Sequence, residues 1–267
     1  MRCADLSISV ADECDAHIAV CAWDRAILLQ ATRIAEANGF RVIHGIVDSL
    51  WVKKEGAKEE EYHALRDEIE TQTKFDLSFE GVCKWIAFLP SKMNPSLPVA
   101  NRYFGAYKSG ELKIRGIEAR RHDTPRLFVR CQTEILELLA KANSIEEARS
   151  LIPQCLEIKE RYANSILRHE VSALDLVITR SISKVPSEYR VNTLEASAAS
   201  QLTEAGRELH AGESIGYVVT SQRSTSKKFR TTPQELISDE SRYDADRYVE
   251  LLEAACRTVL DPFVPKS

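Results

Sequence analysis

No two cysteines in this chain have the spacing of a metal or redox motif. The seven, at positions 3, 14, 21, 83, 131, 155 and 256, are scattered and include no CxxC. An odd, scattered set of this kind reads as reduced thiols inside a cell rather than as a disulfide framework. No apolar run reaches the roughly 18 residues that a membrane span needs. The stretch from Met1 to Asp15 carries acidic side chains and no continuous apolar centre, which excludes a secretory signal. Charge of one sign is also missing: 36 Lys and Arg stand against 40 Asp and Glu, a formal net charge of −4. Bulk charge therefore announces no nucleic-acid partner, although such binding needs only a local basic surface. No internal repeat is visible. The expectation is a soluble, cytoplasmic protein without a membrane partner.

What is present is ample apolar material. With 267 residues and 44% hydrophobic content, the chain can build one large core or two modest ones. From Asp15 to Asn38 the apolar positions Ile18, Cys21, Ala22, Leu28, Leu29, Ala31 and Ile34 keep a helical period, and Gly39 follows as a stop. Phe40 to His44 and Leu50 to Val52 read as two strands around the turn Gly45-Ile46-Val47-Asp48-Ser49. Residues 55–74 are acidic and read as a solvated helix. Three strands are expected next, at Phe79 to Leu89, Asn101 to Tyr107 and Glu111 to Ile117, the last two joined by Lys108-Ser109-Gly110.

The composition changes after Pro125, and a boundary is placed near residue 124. Arg126 to Ala142 and Ser144 to His169 are helical by period, with Pro153 starting the second helix proper. An extended segment, Asp175 to Ser183, leads to a helix at Ala196 to Ala205 closed by Gly206. Ile215 to Val219 reads as a strand, Ser221 to Arg230 as a polar loop and Ala245 to Leu260 as a final amphipathic helix. The expected class is α+β: an antiparallel sheet with helices on one face over 1–124, then a mainly helical domain over 125–267.

Two regions carry chemistry. An aspartate in a tight hairpin, Asp48, is presented by a rigid platform, as a metal-binding carboxylate must be. Aspartate is equally favoured in turns because its side chain bonds the local backbone. Lys113, Arg115, Arg120, Arg121, Arg126 and Arg130 place six positive charges within eighteen residues. Strand alternation puts Lys113 and Arg115 on one side, as suits a phosphate backbone; a solvated face is the plainer alternative. The loop Arg223 to Arg230 is basic too, and contact with phosphates and a plain surface loop stand level for it.

The run Val42-Ile43-His44-Gly45-Ile46-Val47-Asp48-Ser49-Leu50-Trp51-Val52 resembles motif C of the family B DNA polymerases. That motif usually reads tyrosine-glycine-aspartate-threonine-aspartate-serine between two strands. Asp48 matches the second aspartate, the family's metal ligand, while Ile46 stands where the first belongs. The preceding helix, ending Ala35-Glu36-Ala37-Asn38-Gly39-Phe40, and the run Gly81 to Pro90 are also similar to the family's. Asn101-Arg102-Tyr103 resembles its lysine-x-tyrosine motif, with Asn101 replacing the lysine. Gly116-Ile117-Glu118 resembles the glycine-x-glutamate strand that grips the primer-template duplex. Asp175 to Lys184, Tyr189 and Ile215 to Val219 resemble the thumb, which departs from the family at Leu194-Glu195, where a proline-histidine pair is common.

The resemblance covers residues 15 to 260 in order, and implies a palm end over 1–124 and a thumb over 125–267. The motif C variant looks most like a group of archaeal enzymes with degenerate active sites, the B2 group. Nothing in the sequence resembles the family's uracil-sensing domain, exonuclease, fingers or motif A, so one piece of a split polymerase is expected. Three roles stay open: a fragment contributing to templated nucleotidyl transfer, an inactive duplex-binding or scaffolding subunit, and a generic nucleic-acid-binding module.

By the same resemblance, Asp48 is the catalytic and metal position. Asn101, Arg102, Tyr103, Lys113, Arg115, Arg121, Arg180 and Lys184 contact DNA. Magnesium binds only if a second polypeptide completes the site. Primer-template DNA, a deoxynucleoside triphosphate and that polypeptide are the partners. Tyr103 also admits a core reading, as any strand aromatic does.

Overall fold

The computed structural model describes residues 10–46, 49–91, 93–94, 97–191, 193–221 and 230–264. Asp48 and most of the basic loop at 221–230 lie outside them. The chain forms two compact units, Met1–Val82 and Cys83–Ser267.

The first unit opens with helix α1 (Val10–Ala37). Gly39, at φ +75°, ends it: the Phe40 amide reaches back to the Ala35 carbonyl at 3.0 Å, a left-handed stop that a residue without a Cβ adopts easily. Strands β1 (Arg41–Ile46) and β2 (Ser49–Lys53) form an antiparallel pair. Helix α2 (Glu59–Thr73) follows, with Glu59, Glu60 and Glu61 in its first turn, where the helix dipole favours negative charge. Ala31, Ile34 and Ala35 of α1, Phe40, and Leu65 and Ile69 of α2 make the core, with Val42, Leu50 and Val52 of the hairpin packed on it. The N-terminal half of α1 is different: Ile18, Val20 and Trp23 are between 58% and 70% exposed.

The second unit starts with a three-stranded antiparallel sheet, β3 (Cys83–Pro90), β4 (Pro98–Tyr107) and β5 (Leu112–Arg115). Trp85, Ala87, Leu89, Phe104 and Ala106 are buried in a core shared with α3 (Arg126–Leu139) and α7 (Ala245–Leu260). Trp85, Phe104 and Phe263 pack with ring centroids 5.4–6.2 Å apart. Between α3 and α7 come α4 (Ile145–Ser150) and α5 (Ile152–Leu167), then α6 (Leu194–Glu204). A second antiparallel sheet contains β6 (Ile178–Ser181), β7 (Ser214–Val219) and β8 (Thr231–Pro233). The Tyr248 hydroxyl of α7 accepts from the Val219 amide at 2.9 Å, tying that sheet to the helix. The thiols of Cys131 and Cys256 meet at 3.7 Å between α3 and α7, both fully buried. That mutual hydrogen bond, and then burial, push the Cys131 thiol far above its ordinary range.

The compact units part at residues 82 and 83 because β3–β5 bury their apolar face against helices that follow Pro125. The mixed class and antiparallel pairing agree with the sequence reading, and two details differ. The strand expected from Phe79 begins only at Cys83, since Gly81 sits at φ +132° and interrupts the extended run. The helical second part also carries the β6–β7–β8 sheet, whose third strand, three residues ending in proline, gives no alternation to read.

Candidate nucleic-acid interface

The hairpin ladder closes with Gly45 opposite Leu50 and Ile46 opposite Ser49; Val47 and Asp48 lie outside the described residues. A Cβ at Gly45 would lie 3.5 Å from Leu28 of α1 and 3.7 Å from Leu50, so the hairpin lies against the helix at normal van der Waals distance. Ile46 is half-buried. Two divalent cations on one hairpin need several oxygen ligands. One carboxylate at 48 and an isoleucine at 46 do not make that donor set. Among the described residues, no group of three or more His, Cys, Asp or Glu is arranged to hold a metal.

The basic residues are organised in the second unit. β4 pairs with β5 so that Tyr103 lies opposite Arg115 and Gly105 opposite Lys113. On the other side β4 pairs with β3, with Phe88 opposite Tyr103 and Ile86 opposite Gly105. Lys113 and Arg115 thus share one face of the sheet, as alternation requires, while Leu112 and Ile114 pack on the core. Tyr103 is 3% exposed, its ring 5.4 Å from Phe88.

Immediately after β5 the chain turns at Gly116, φ +64°. A Cβ here would come within 2.2 Å of the Asn101 carbonyl oxygen, so only glycine permits the close approach to β4. The approach has a use, because the Gly116 carbonyl accepts from Arg102 Nε at 3.2 Å. Ile117 is fully buried and anchors the turn. Glu118 then lies 3.8 Å from the Arg102 guanidinium and accepts from Gln132 Nε2 at 3.0 Å. Gln132, buried on α3, also donates to the Ala255 carbonyl of α7 at 2.6 Å. The Gly116-Ile117-Glu118 turn therefore orients Arg102 and is itself held by a buried polar link between two helices.

Further along, Asp123 accepts from Arg121 at 2.6 and 2.8 Å and is also bonded by Arg180 of β6. The hydrogen bonds from Arg121, reinforced by the Arg180 charge, hold the Asp123 carboxyl below its usual range. The hydrogen bond to Asp123 in turn raises Arg121. The guanidinium groups remain accessible, with Arg121 50% and Arg180 44% exposed.

Arg102, Arg121 and Arg180 converge on one groove of about 1240 Å³, joined there by Arg149 of α4 and Arg257 of α7. Glu118, Asp123 and Asp261 are its acids, and Phe88, Phe128 and Phe263 supply aromatic walls. Its size exceeds the roughly 300–1,000 Å³ of most small-molecule sites. Five arginines around an open groove form an electrostatic footprint for phosphate oxygens.

Of the eight positions read from sequence as DNA contacts, these three come together. Asn101, Tyr103, Lys113 and Arg115 lie along β4 and β5, and Lys184 is exposed beyond β6; none of the five lines the groove. Arg149, Arg257 and the organising Asp123 and Gln132 were not singled out from the sequence. Gln132 alone left a trace there, as the one amide on the apolar face of α3.

The family model described as DNA polymerase family B matches residues 10–263. A DNA polymerase of Archaeoglobus fulgidus is 30% identical over 222 residues, covering 83% of this chain and 26% of that protein. DNA polymerase 2 of Aeropyrum pernix is 28% identical over 232 residues, covering 87% of this chain and 26% of its own length. The family B DNA polymerase of Pyrobaculum calidifontis superposes with a TM-score of 0.61 at 25% identity, over 92% of this chain and 30% of that one. The chain thus spans about a quarter of the length of these archaeal relatives, 26% of each of the first two. Matched from the first residue of α1 to the last turn after α7, it belongs to the family B DNA polymerases.

Proposed function

We propose that this chain is the duplex-gripping part of a family B DNA polymerase and contributes to templated nucleotidyl transfer only together with the family's remaining segments. The observation that carries the proposal is the convergence of five arginines from β4, the segment after β5, α4, β6 and α7 on one groove. Contacts of this kind go to phosphate and fix the register of a duplex without reading its sequence. Asp48 stands as the chain's single motif C carboxylate. Magnesium bound at a completed site would supply charge neutralisation during phosphoryl transfer. Ile46 argues that this chain by itself cannot hold the ions, so a separate polypeptide supplies the missing carboxylate, the fingers and the exonuclease.

A second reading rests on Ile46 alone. An apolar side chain where a ligand belongs fills space that water and metal would otherwise occupy, and suits a subunit that binds duplex without chemistry. Primer extension separates the two. The isolated, nuclease-free chain should bind primer-template duplex and incorporate no nucleotide, and adding the remaining polymerase segments should restore incorporation that Asp48→Ala abolishes. Incorporation by the isolated chain, lost in Asp48→Ala, would overturn the need for a partner. A restored activity indifferent to Asp48→Ala would favour the second reading.

A further inference from the structure

Helix α1 carries an apolar stripe, only half of which is used inside its own unit. Ala16, Val20, Trp23, Ile27, Ala31 and Ile34 follow one another at intervals of four, three, four, four and three residues, and so share one face. At the C-terminal end this stripe is core, with Ala31 and Ile34 each 6% exposed. Ile27 is half-buried. Toward the N-terminus the same stripe emerges: Trp23 is 70% and Val20 58% exposed. The opposite side of the helix is apolar as well, with Ile18 64% exposed in this half and Leu29 52% exposed just beyond it. Between Ala16 and Leu29 only His17, Asp24 and Arg25 are polar.

A helix apolar on opposite sides is normally surrounded, not merely leaned upon. A two-fold contact between copies of the chain covers one face of a helix and leaves the other wet. What covers this half must therefore wrap it. The matched relatives contain about four times the length aligned here, 26% of each being covered, so their helix at this place has far more chain available to surround it. We infer that the N-terminal half of α1, centred on Val20 and Trp23, is the docking element by which this chain inserts into the portion of a family B polymerase that lies outside the matched quarter. The inference rests on the reading that such a portion works with this chain, and adds which surface joins them.

The experiment uses the full chain and the polypeptide from the same genome that carries the family's remaining segments. Subtracting the Trp23→Phe spectrum from that of the unmodified protein isolates the emission of residue 23. Alone, Trp23 should emit as a water-exposed indole and be quenched freely by acrylamide; with the partner, its emission should shift to the blue and quenching should fall. Val20→Glu with Trp23→Glu changes only exposed positions, so helix content and duplex binding should be retained. Association with the partner should weaken at least about thirty-fold, the scale of losing a buried tryptophan anchor. Arg121→Ala with Arg180→Ala should do the reverse, weakening duplex binding and leaving association intact.

Unchanged association of the glutamate variant would sink the docking inference while leaving the polymerase reading standing. A tight, Trp23-dependent complex that never extends a primer would sink the polymerase reading and leave the docking element. A Trp23-dependent homodimer, a monomer whose Trp23 is already shielded, or a genome with no such polypeptide would each overturn the inference.

Discussion

Around the hairpin, six buried side chains do the holding: Ala31, Ile34, Ala35, Phe40, Leu65 and Ile69. After Cys83, one continuous core runs from Trp85 and Phe104 of the first sheet through Ile135 and Leu139 of α3 to Tyr248 and Phe263 at the end. The small unit presents the candidate metal hairpin and leaves half of its main helix exposed. The larger unit presents the arginine groove from five elements fixed in a common interior. A grip on phosphate can be organised entirely within one well-packed unit. A two-cation site has to be assembled from more carboxylates than this hairpin provides, and the thinly packed unit is where assembly with other segments is expected.

The largest test of this contrast is Phe104→Ala. Phe104 is fully buried against Trp85 and Phe263, and its truncation should cost about 3–5 kcal/mol. Hydrogen exchange should accelerate across residues 83–264 far more than across 31–73. Equal acceleration in both would mean that the two units do not differ in the way their cores suggest.

A middle-sized effect is expected at the groove. Arg121→Ala and Arg180→Ala should each weaken duplex binding and each lower the log–log salt slope by about 0.9, one phosphate contact apiece. Arg115→Ala, outside the groove, should change the slope less. A larger change from Arg115 would move the interface to the β4–β5 face.

The smallest effect concerns pH. Asp123 ionises more readily in the folded protein than in the unfolded chain, so its contribution is present above the unfolded carboxyl range near 3.9 and is lost as pH falls through the depressed folded value. Asp123→Asn should flatten that acid limb of the stability profile. A profile unchanged by the substitution would show that the carboxylate does not organise the two arginines.

Much of the fold was legible in the sequence because its signals are local. Ala245–Leu260 appears at the limits its amphipathic period indicates, and Pro153 lies in the first turn of α5 as a proline should. The hairpin was legible because β-branched residues flank a glycine-containing turn, although its strands run two residues further at 46 and one further at 53 than read. The site was less legible because it is made by tertiary contact. Nothing about Asp123 in sequence points to Arg180, 57 residues away. Arg149 and Arg257 look like ordinary polar positions on amphipathic helices until the fold turns them toward one groove. Tyr103 was open to two readings because alternation gives the face and not what covers it.

The contact between Cys131 and Cys256 has a practical consequence. The two sulfurs belong to α3 and α7, 125 residues apart, and are fully buried, as is Cys155, whose thiol burial raises to about 11. Cys21, by contrast, is exposed on α1. A thiol reagent added to the native protein should therefore label Cys21 at once and reach the inner pair only when α3 separates from α7. Labelling at 131 and 256 then keeps time for the opening of the larger core: its slow phase counts how often those helices part, in a molecule that carries the probe without modification.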